Sequence, residues 1–221
     1  MEHDTARAPA EPEQENRRAS VRETTLGHVC MDREGIAADV LETVLTLAVE
    51  LAREGREGHT VGTIFTVGDA EGVIERSRPL ILDPLAGHPA GAKRIGDADV
   101  RETVKELALL DGGFIVANDG TTRSASRYFS ASPEVIDLPL GLGSRHMAGA
   151  SISLQTGAVA VVVSESSVVR LFDGGEIASE IIPELWMLRR HGSALLGESA
   201  AAPEATGGDG DPAVVLENTE S

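Results

Sequence analysis

Three short segments in the second half of the chain combine carboxylates, a basic pair and glycines. They are Asp111-Gly112-Gly113-Phe114, Gly143-Ser144-Arg145-His146-Met147-Ala148 and Val163-Ser164-Glu165-Ser166. Carboxylates are ligands that Mg²⁺ or Mn²⁺ prefers, and arginine offers a planar fork of donors that matches phosphate oxygens. Glycines allow the backbone to approach a ligand closely. Together the segments predict a site for a nucleotide triphosphate and its divalent metal.

Each of these residues also has an ordinary structural interpretation. Asp111 could cap its own turn, and the two glycines after it could form a plain turn. Arg145 could be a surface arginine beside a packed His146, and Glu165 could be a solvated turn residue. No single residue is diagnostic, so the functional interpretation rests on their combination.

The elements around the segments are predicted from periodicity. Apolar residues at helical spacing predict helices from Ile36 to Leu51 and from Val100 to Leu110. Apolar and β-branched runs predict strands at 61–67, 79–82, 114–117, 159–163, 168–172 and 177–182, and the turn at 118–120 predicts an antiparallel return. We expect a single-domain α/β fold with a mixed β-sheet flanked by helices. Asp111 then lies between a helix and a strand, Glu165 follows a buried strand, and residues 143–148 form a loop.

Length and composition fit one domain with tails. Of the 221 residues, 41% are hydrophobic and only 3% are aromatic, which predicts an aliphatic core. We expect a flexible arm at 1–23, a domain at 24–192 and an acidic tail at 193–221. Cys30 is the single cysteine, which excludes an internal disulfide and a cysteine-based metal site. No apolar stretch reaches the roughly 18 residues of a membrane span, and residues 1–20 hold no hydrophobic signal region, so we expect a cytoplasmic protein.

The charge is strongly acidic, with little lysine. Asp plus Glu number 36 against 19 Lys plus Arg, a formal net charge of −17, and the only lysines are Lys93 and Lys105. Nucleic acids and anionic membranes need clustered positive charge, so neither is expected as a partner. An acidic tail would account for part of the charge. Because the acidic residues are spread along the whole chain, we favour a halophilic surface. Salt would screen the repulsion between its negative charges.

The order and wording of the three segments resemble the diadenylate cyclase domain family, whose members condense two ATP into cyclic di-AMP. In that family they read Asp-Gly-Ala and Thr-Arg-His-Arg-Ala, followed by an apolar strand that closes in Ser-Glu. The resemblance covers roughly residues 28–190, and residues 57–62 and 102–106 look like the archaeal branch. It also implies a mixed sheet wrapped by helices.

The resemblance implies a role for each segment. Asp111 would bind the metal and orient the attacking hydroxyl, Arg145 and His146 would hold the triphosphate, and Glu165 would be the second metal ligand. The other residues implied to contact the nucleotide are Gly112, Gly113, Leu142, Gly143, Ser144, Met147 and Ser164. For Leu142, which would line the adenine pocket, core packing is an equal alternative.

The chain departs from the bacterial pattern of that family at three positions. Met147 replaces a second arginine, which removes a charge-assisted hydrogen bond of about 1.5–3 kcal/mol from the phosphate clamp. Leu154 stands where a carboxylate is expected, which leaves Glu165 as the surviving one. Gly113 replaces an alanine, which predicts a looser but unobstructed site.

The predicted function is therefore that of a nucleotidyltransferase, a diadenylate cyclase that uses ATP with Mn²⁺ or Mg²⁺. Two protomers would face each other, because one chain without an internal repeat offers one phosphate clamp while the product joins two nucleotides. Two alternatives remain: a non-catalytic nucleotide-binding or regulatory module of the same fold, and a structural oligomerising domain with an incidental motif.

Overall fold

The computed structural model describes residue 33 and residues 35–131 and 136–188. The described residues up to Trp186 form one compact unit, which contains every helix and strand discussed below. The predicted arm at 1–23, the predicted tail at 193–221 and Cys30 lie outside the described residues. Within the described ranges, no helix has the length and apolar character needed to cross a membrane.

Seven strands form one sheet in the order β2-β4-β3-β1-β5-β6-β7. The strands are β1 (Thr63–Gly68), β2 (Ser77–Pro79), β3 (Gly113–Ala117), β4 (Thr122–Phe129), β5 (Val159–Val163), β6 (Val169–Asp173) and β7 (Glu176–Ile181). The helices are α1 (Ala38–Glu54), α2 (Ala70–Glu75), α3 (Ala98–Leu107) and α4 (Ser144–Gln155), with a short 3-10 helix at Ala90–Lys93. β1 and β3 are parallel, and all other neighbours are antiparallel. The predicted α/β class with a mixed sheet is confirmed.

The sheet is buried because helices cover it. Every residue of β1 and of β5 is buried. Ile64, Ala160 and Val162 belong to one core cluster with residues of α2 and α4. Side chains alternate between the two faces of a strand, so Phe65 and Val161 point to the opposite face, and α1 packs against β1 and β5 there.

The central elements were predicted well and three others were not. The strands at 114–117 and 159–163 and the antiparallel return after residues 118–120 are confirmed. The strand predicted at 79–82 is wrong, because β2 ends at Pro79 and residues 80–82 are exposed. The short helix α2 was not predicted.

The predicted loop at 143–148 is also wrong, since residues from Ser144 onward form α4. This helix contains glycine, serine and alanine where a typical amphipathic helix has large apolar residues, so its period is weak. The small residues let the helix approach the sheet: a Cβ on Gly149 would lie 2.5 Å from Cγ2 of Val162. Close packing against β5 therefore requires small residues, and these small residues weaken the helical pattern in the sequence.

Candidate functional site

The sheet topology brings the predicted carboxylates to one edge. β1 lies between parallel β3 and antiparallel β5, so the start of β1, the start of β3 and the end of β5 share that edge. Asp111 precedes β3, Glu165 follows β5, and residues 59–62 precede β1 between them. Both acidic residues were correctly predicted to lie at the ends of elements.

Arg145, in the first turn of α4, reaches across this edge to Glu165. Its Nη1 donates to Oε1 of Glu165 at 2.7 Å. The guanidinium lies over Gly62, where an added Cβ would be 2.5 Å from Nη1 and 2.7 Å from Cζ. A side chain at position 62 would therefore displace the guanidinium. This role of Gly62 has no local signal in the sequence, because it arises only from a contact between distant residues.

Two cavities adjoin the Arg145–Glu165 pair, with volumes of about 360 Å³ and about 390 Å³. The first is bordered by β4 and the start of α4, and the second by the segment before β1 and the end of α3. Asp111 and Arg145 line both cavities, and Glu165 lines the second. An acidic side chain, Asp111, and a positively charged one, Arg145, therefore lie at the boundary between the two cavities.

The first cavity has an apolar and aromatic wall. It is formed by Ile64, Leu80, Tyr128 and Phe129. The guanidinium of Arg78 stacks over the ring of Tyr128, with its Cζ 4.7 Å from the ring centroid. None of these wall residues was predicted to belong to the site, because strand pairing, which the local sequence does not specify, brings them to one cavity. Such a wall suits a flat heteroaromatic ring.

Arg127 also lines the first cavity, but its guanidinium is committed elsewhere. It donates to the carbonyl oxygens of Ile74 at 3.1 Å and Ser77 at 2.9 Å, and to the hydroxyl of Ser77. These bonds join β4 to the end of α2 and to β2. Arg145 is therefore the better placed arginine for a ligand at the boundary.

The two glycines after Asp111 are required by close backbone approach. Gly112 has φ of 101°, and a Cβ there would lie 2.8 Å from the carbonyl oxygen of Arg127. Thr63 Oγ1 donates to the carbonyl oxygen of Gly112 at 3.1 Å and fixes the turn to β1. Gly112 lines the first cavity.

Gly113 does not loosen the site, contrary to the sequence-based expectation. An added Cβ would lie 2.5 Å from both the carbonyl oxygen of Ile64 and Cε2 of Phe129. The ring of Phe129 therefore occupies the space that an alanine methyl would need. The glycine and the large ring form a complementary pair.

The remaining predicted nucleotide-binding residues divide into two groups. Ser144 lines the first cavity, at the start of a helix whose N-cap, Gly143, has no side-chain cap. Leu142, Gly143, Met147 and Ser164 line neither cavity. Ser164 instead shares a hydrogen bond of 2.8 Å with the hydroxyl of Ser166. Leu142, expected at the adenine pocket, lies half-buried just before α4.

His146 lies inside the fold and lines neither cavity. It is 6% exposed, and its Nε2 accepts from Nη1 of Arg170 at 3.1 Å, since arginine is only a donor. Nδ1 is buried without a partner. Burial, and then the charge of Arg170, lower the pKa of His146. The packed-histidine alternative fits this position.

The carboxylates at the boundary are suitable ligands for a hard divalent cation whose remaining ligands come from the substrate. Asp111 and Glu165 both line the second cavity. Among the described residues, no group of three His, Cys, Asp or Glu side chains is placed to hold a metal ion. Mg²⁺ in nucleotide sites commonly takes one or two carboxylates together with phosphate oxygens and water. Two carboxylates are therefore sufficient for a metal that arrives with its nucleotide.

A mixed α/β domain with paired carboxylates, an arginine and a helix start around a divided cavity has the features of a nucleotide-binding domain. The family comparison agrees with this class. Residues 50–177 match the model of the DAC family, described as DisA bacterial checkpoint controller nucleotide-binding. The chain belongs to this family.

Two curated relatives are each named diadenylate cyclase. The one from Methanocaldococcus jannaschii is 48% identical over 144 residues, covering 65% of this chain and 45% of that protein. The one from Haloferax volcanii is 43% identical over 148 residues, covering 66% of this chain and 54% of that protein. The chain thus spans about half the length of the curated relatives it matches.

Two solved structures are similar to part of this chain. A protein from Bacillus cereus, described as a hypothetical membrane spanning protein, has a TM-score of 0.49 and 17% identity, over 65% of this chain and 63% of that chain. DacA from Staphylococcus aureus, as a double mutant, has a TM-score of 0.46 and 20% identity, over 69% of this chain and 95% of that chain. Similarity at this level adds nothing to the family assignment.

Proposed function

We propose that this chain is a diadenylate cyclase, which condenses two ATP into cyclic di-AMP with release of two pyrophosphates. The observation that carries the proposal is the boundary between the two cavities, where Asp111 and Arg145 face both and Glu165 faces one. These three residues belong to the segments that match the family. The curated relatives named diadenylate cyclase support the same activity.

In this proposal the nucleoside occupies the first cavity. Its aromatic and aliphatic wall takes the base, and the reacting phosphate lies at the boundary beside Arg145. The start of α4 adds backbone N–H donors and the positive end of a helix dipole near Ser144. Arg145 exchanges part of its contact with Glu165 for a phosphate oxygen.

Mn²⁺ or Mg²⁺ fits the carboxylates of Asp111 and Glu165. When bound with ATP, such a cation neutralises phosphate charge. Asp111 orients the ribose hydroxyl, Arg145 fixes the phosphate, and Glu165 sets the direction of the Arg145 guanidinium. Ser164, beside Glu165, lines neither cavity and its hydroxyl bonds to Ser166, so the proposal assigns it no contact with the phosphates.

The chemistry is a nucleotidyl transfer that takes place twice. The 3′-oxygen of one ATP forms a bond to the α-phosphorus of the other, and the bond from that phosphorus to the bridging β-phosphate oxygen breaks. Pyrophosphate leaves with the bonding electrons, and the hydroxyl proton passes to the Asp111 carboxylate or to water. The protein contributes positioning and charge neutralisation.

Two protomers are needed in this mechanism. One described domain presents one Arg145 and one pair of carboxylates at the cavity boundary, which is sufficient for one ATP. The second ATP must therefore come on a second copy that faces the first. The face-to-face pair is part of the proposal.

The departures from the bacterial pattern at Met147 and Leu154 do not argue against an enzyme. Leu154 packs against Gly175, with its Cβ 3.1 Å from an added Cβ at that glycine, and it lines neither cavity. Met147 also lines neither cavity. Neither residue removes a group from the cavity boundary, so neither is a sign of lost activity.

Incubation of the purified protein with ATP and Mn²⁺ in molar KCl, with products identified by mass, tests the proposal. Cyclic di-AMP together with pyrophosphate is the expected result. Bound but unreacted ATP would favour a non-catalytic nucleotide-binding module. Neither binding nor product would leave an oligomerising domain with an incidental motif.

A further inference from the structure

The second cavity contains residues that the proposed reaction does not yet use. His59 and Thr60 line it together with Asp111, Arg145 and Glu165. Their place follows from the sheet: they precede β1, the strand between those that carry Asp111 and Glu165. His59 is exposed, so its imidazole is open to a ligand.

The backbone holds His59 in a fixed turn. Arg56 N donates to the carbonyl oxygen of His59 at 2.9 Å, and His59 N donates to that of Arg56 at 2.8 Å. The residues between them include Glu57 at φ of 51° and Gly58 at φ of 76°, which makes the turn tight. The two hydrogen bonds between Arg56 and His59 therefore fix the backbone from which the imidazole extends.

Ion pairs fasten that turn to the neighbouring helix. The guanidinium of Arg56 donates to Glu102 at 3.1 Å and, through Nε, to Glu106 at 2.7 Å, both on α3. Lys105 on the same helix pairs with Glu50 of α1 at 2.9 Å. Because α3 also leads to Asp111, the network fixes two walls of the second cavity relative to each other.

A phosphate group in the second cavity would need hydrogen-bond donors beyond Arg145. Of the residues that line it, Arg145 is the only one with a permanent positive charge, and Glu165 shares that charge. Phosphates that extend past the boundary would meet two carboxylates, one arginine, the imidazole of His59 and the hydroxyl of Thr60. Imidazole and hydroxyl groups donate hydrogen bonds to phosphate oxygens.

We propose that the second cavity takes the β- and γ-phosphates of ATP, which leave as pyrophosphate, and that His59 donates to their oxygens. This inference rests on the proposed function, because it assigns the end of the nucleotide that the first cavity does not hold. His59 binds the terminal phosphates, and the α-phosphate stays at the boundary between Asp111 and Arg145. Loss of His59 therefore weakens affinity for pyrophosphate without changing affinity for a nucleoside monophosphate.

Calorimetric titration with inorganic pyrophosphate and with AMP, each with Mn²⁺ in molar KCl, tests the assignment. His59→Ala should weaken pyrophosphate binding about ten-fold, the effect of one lost hydrogen bond to a charged group, and leave AMP binding within about two-fold of the wild type. His59→Gln, which keeps a donor, should recover part of the loss. His88→Ala is the matched control, since His88 is also exposed and lines neither cavity.

The outcomes separate this inference from the proposed function. Equal pyrophosphate affinity in wild type and His59→Ala, or no pyrophosphate binding by the wild type, would overturn the role of His59 even if cyclic di-AMP is formed. A selective loss in His59→Ala without any cyclic di-AMP from the wild type would support a phosphate site and reject the cyclase. Equal melting temperatures of the variants confirm that folding is intact.

Discussion

The guanidinium of Arg145 lies on the backbone of Gly62, and from there it donates to Glu165 at 2.7 Å. The glycine is needed for space, because a Cβ would be 2.5 Å from Nη1 of Arg145. An arginine at the start of α4 and a carboxylate after β5 are thus joined beside the residue that precedes β1. In the proposed reaction this contact sets the direction of the phosphate-binding group.

Gly62→Ala should displace Arg145 while leaving the fold intact. The added methyl meets the end of a flexible side chain, which can move away, so the melting temperature should change little. ATP affinity should fall about ten-fold or more, as expected for a weakened charge-assisted hydrogen bond. Gly91→Ala is the control, since a Cβ there meets nothing within 4 Å. If Gly62→Ala binds ATP like the wild type, the position of Arg145 is not decisive for binding.

Asp111→Asn should abolish turnover. The amide keeps the shape of the side chain but removes the charge that binds a hard cation and orients the hydroxyl. Steady-state formation of cyclic di-AMP at several Mn²⁺ concentrations measures the effect. Asp137→Asn is a suitable control, because Asp137 is exposed and lines neither cavity. Near wild-type turnover of Asp111→Asn would remove Asp111 from the mechanism.

Turnover should depend on association of protomers. At protein concentrations where the pair is weak, the rate should rise roughly as the square of the enzyme concentration. Mixing Asp111→Asn with wild type should lower activity below simple dilution, because a mixed pair completes at most one of the two bonds. Rates and sizing measured over the same concentrations give the test. A strictly linear rate where sizing shows only monomers would contradict the two-protomer mechanism.

His146 should make stability depend on pH below neutrality. Burial, and then Arg170, lower the pKa of His146 below its ordinary value of 6.5. In the unfolded chain the imidazole takes up a proton as pH falls through about 6.5, while the folded state resists it. The contribution of His146 to the unfolding free energy is therefore fully present above that pH and is lost as the pH falls below it.

Urea unfolding at pH 7.5 and 5.5 measures this dependence. His146→Gln should lose less stability than the wild type between the two values, and His88→Gln should behave like the wild type. The same pH dependence in all three proteins would show that His146 does not contribute. The comparison is made between variants because carboxylates also titrate at lower pH.

Salt should raise both stability and activity. The formal net charge of −17 produces repulsion within the protein and against ATP, and both are screened at molar KCl. Salt also weakens exposed pairs such as Arg123–Glu71, but such pairs contribute only about 0–1 kcal/mol each. Melting temperatures between low and molar KCl provide the measurement. A flat or falling melting temperature would reject salt adaptation.

The sequence by itself determined the elements that carry the site and the residue types in it. Asp111 and Glu165 were placed correctly because the helix before Asp111 and the buried strand before Glu165 have clear local periods. A continuous run of apolar β-branched residues predicted β5 for the same reason. These are properties of neighbouring residues, so they can be seen without the fold.

Only the tertiary structure decided which of the basic residues faces the cavities. Once residues 144–155 form a helix of 3.6 residues per turn, Arg145 and His146 point about 100° apart. Arg145 therefore reaches the cavity boundary while His146 enters the core beside Arg170. The sequence pattern assigned one role to both, because adjacency in the chain does not specify direction.

The requirement for Gly62 and the complementarity of Gly113 with Phe129 were also decided by the fold. Each depends on the distance between segments that are far apart in the chain, brought together by strand pairing. In the local sequence such a contact is visible only as a glycine, and a glycine is equally typical of a plain turn. Sheet order determined which glycines have which function, because it alone sets which backbones and side chains meet.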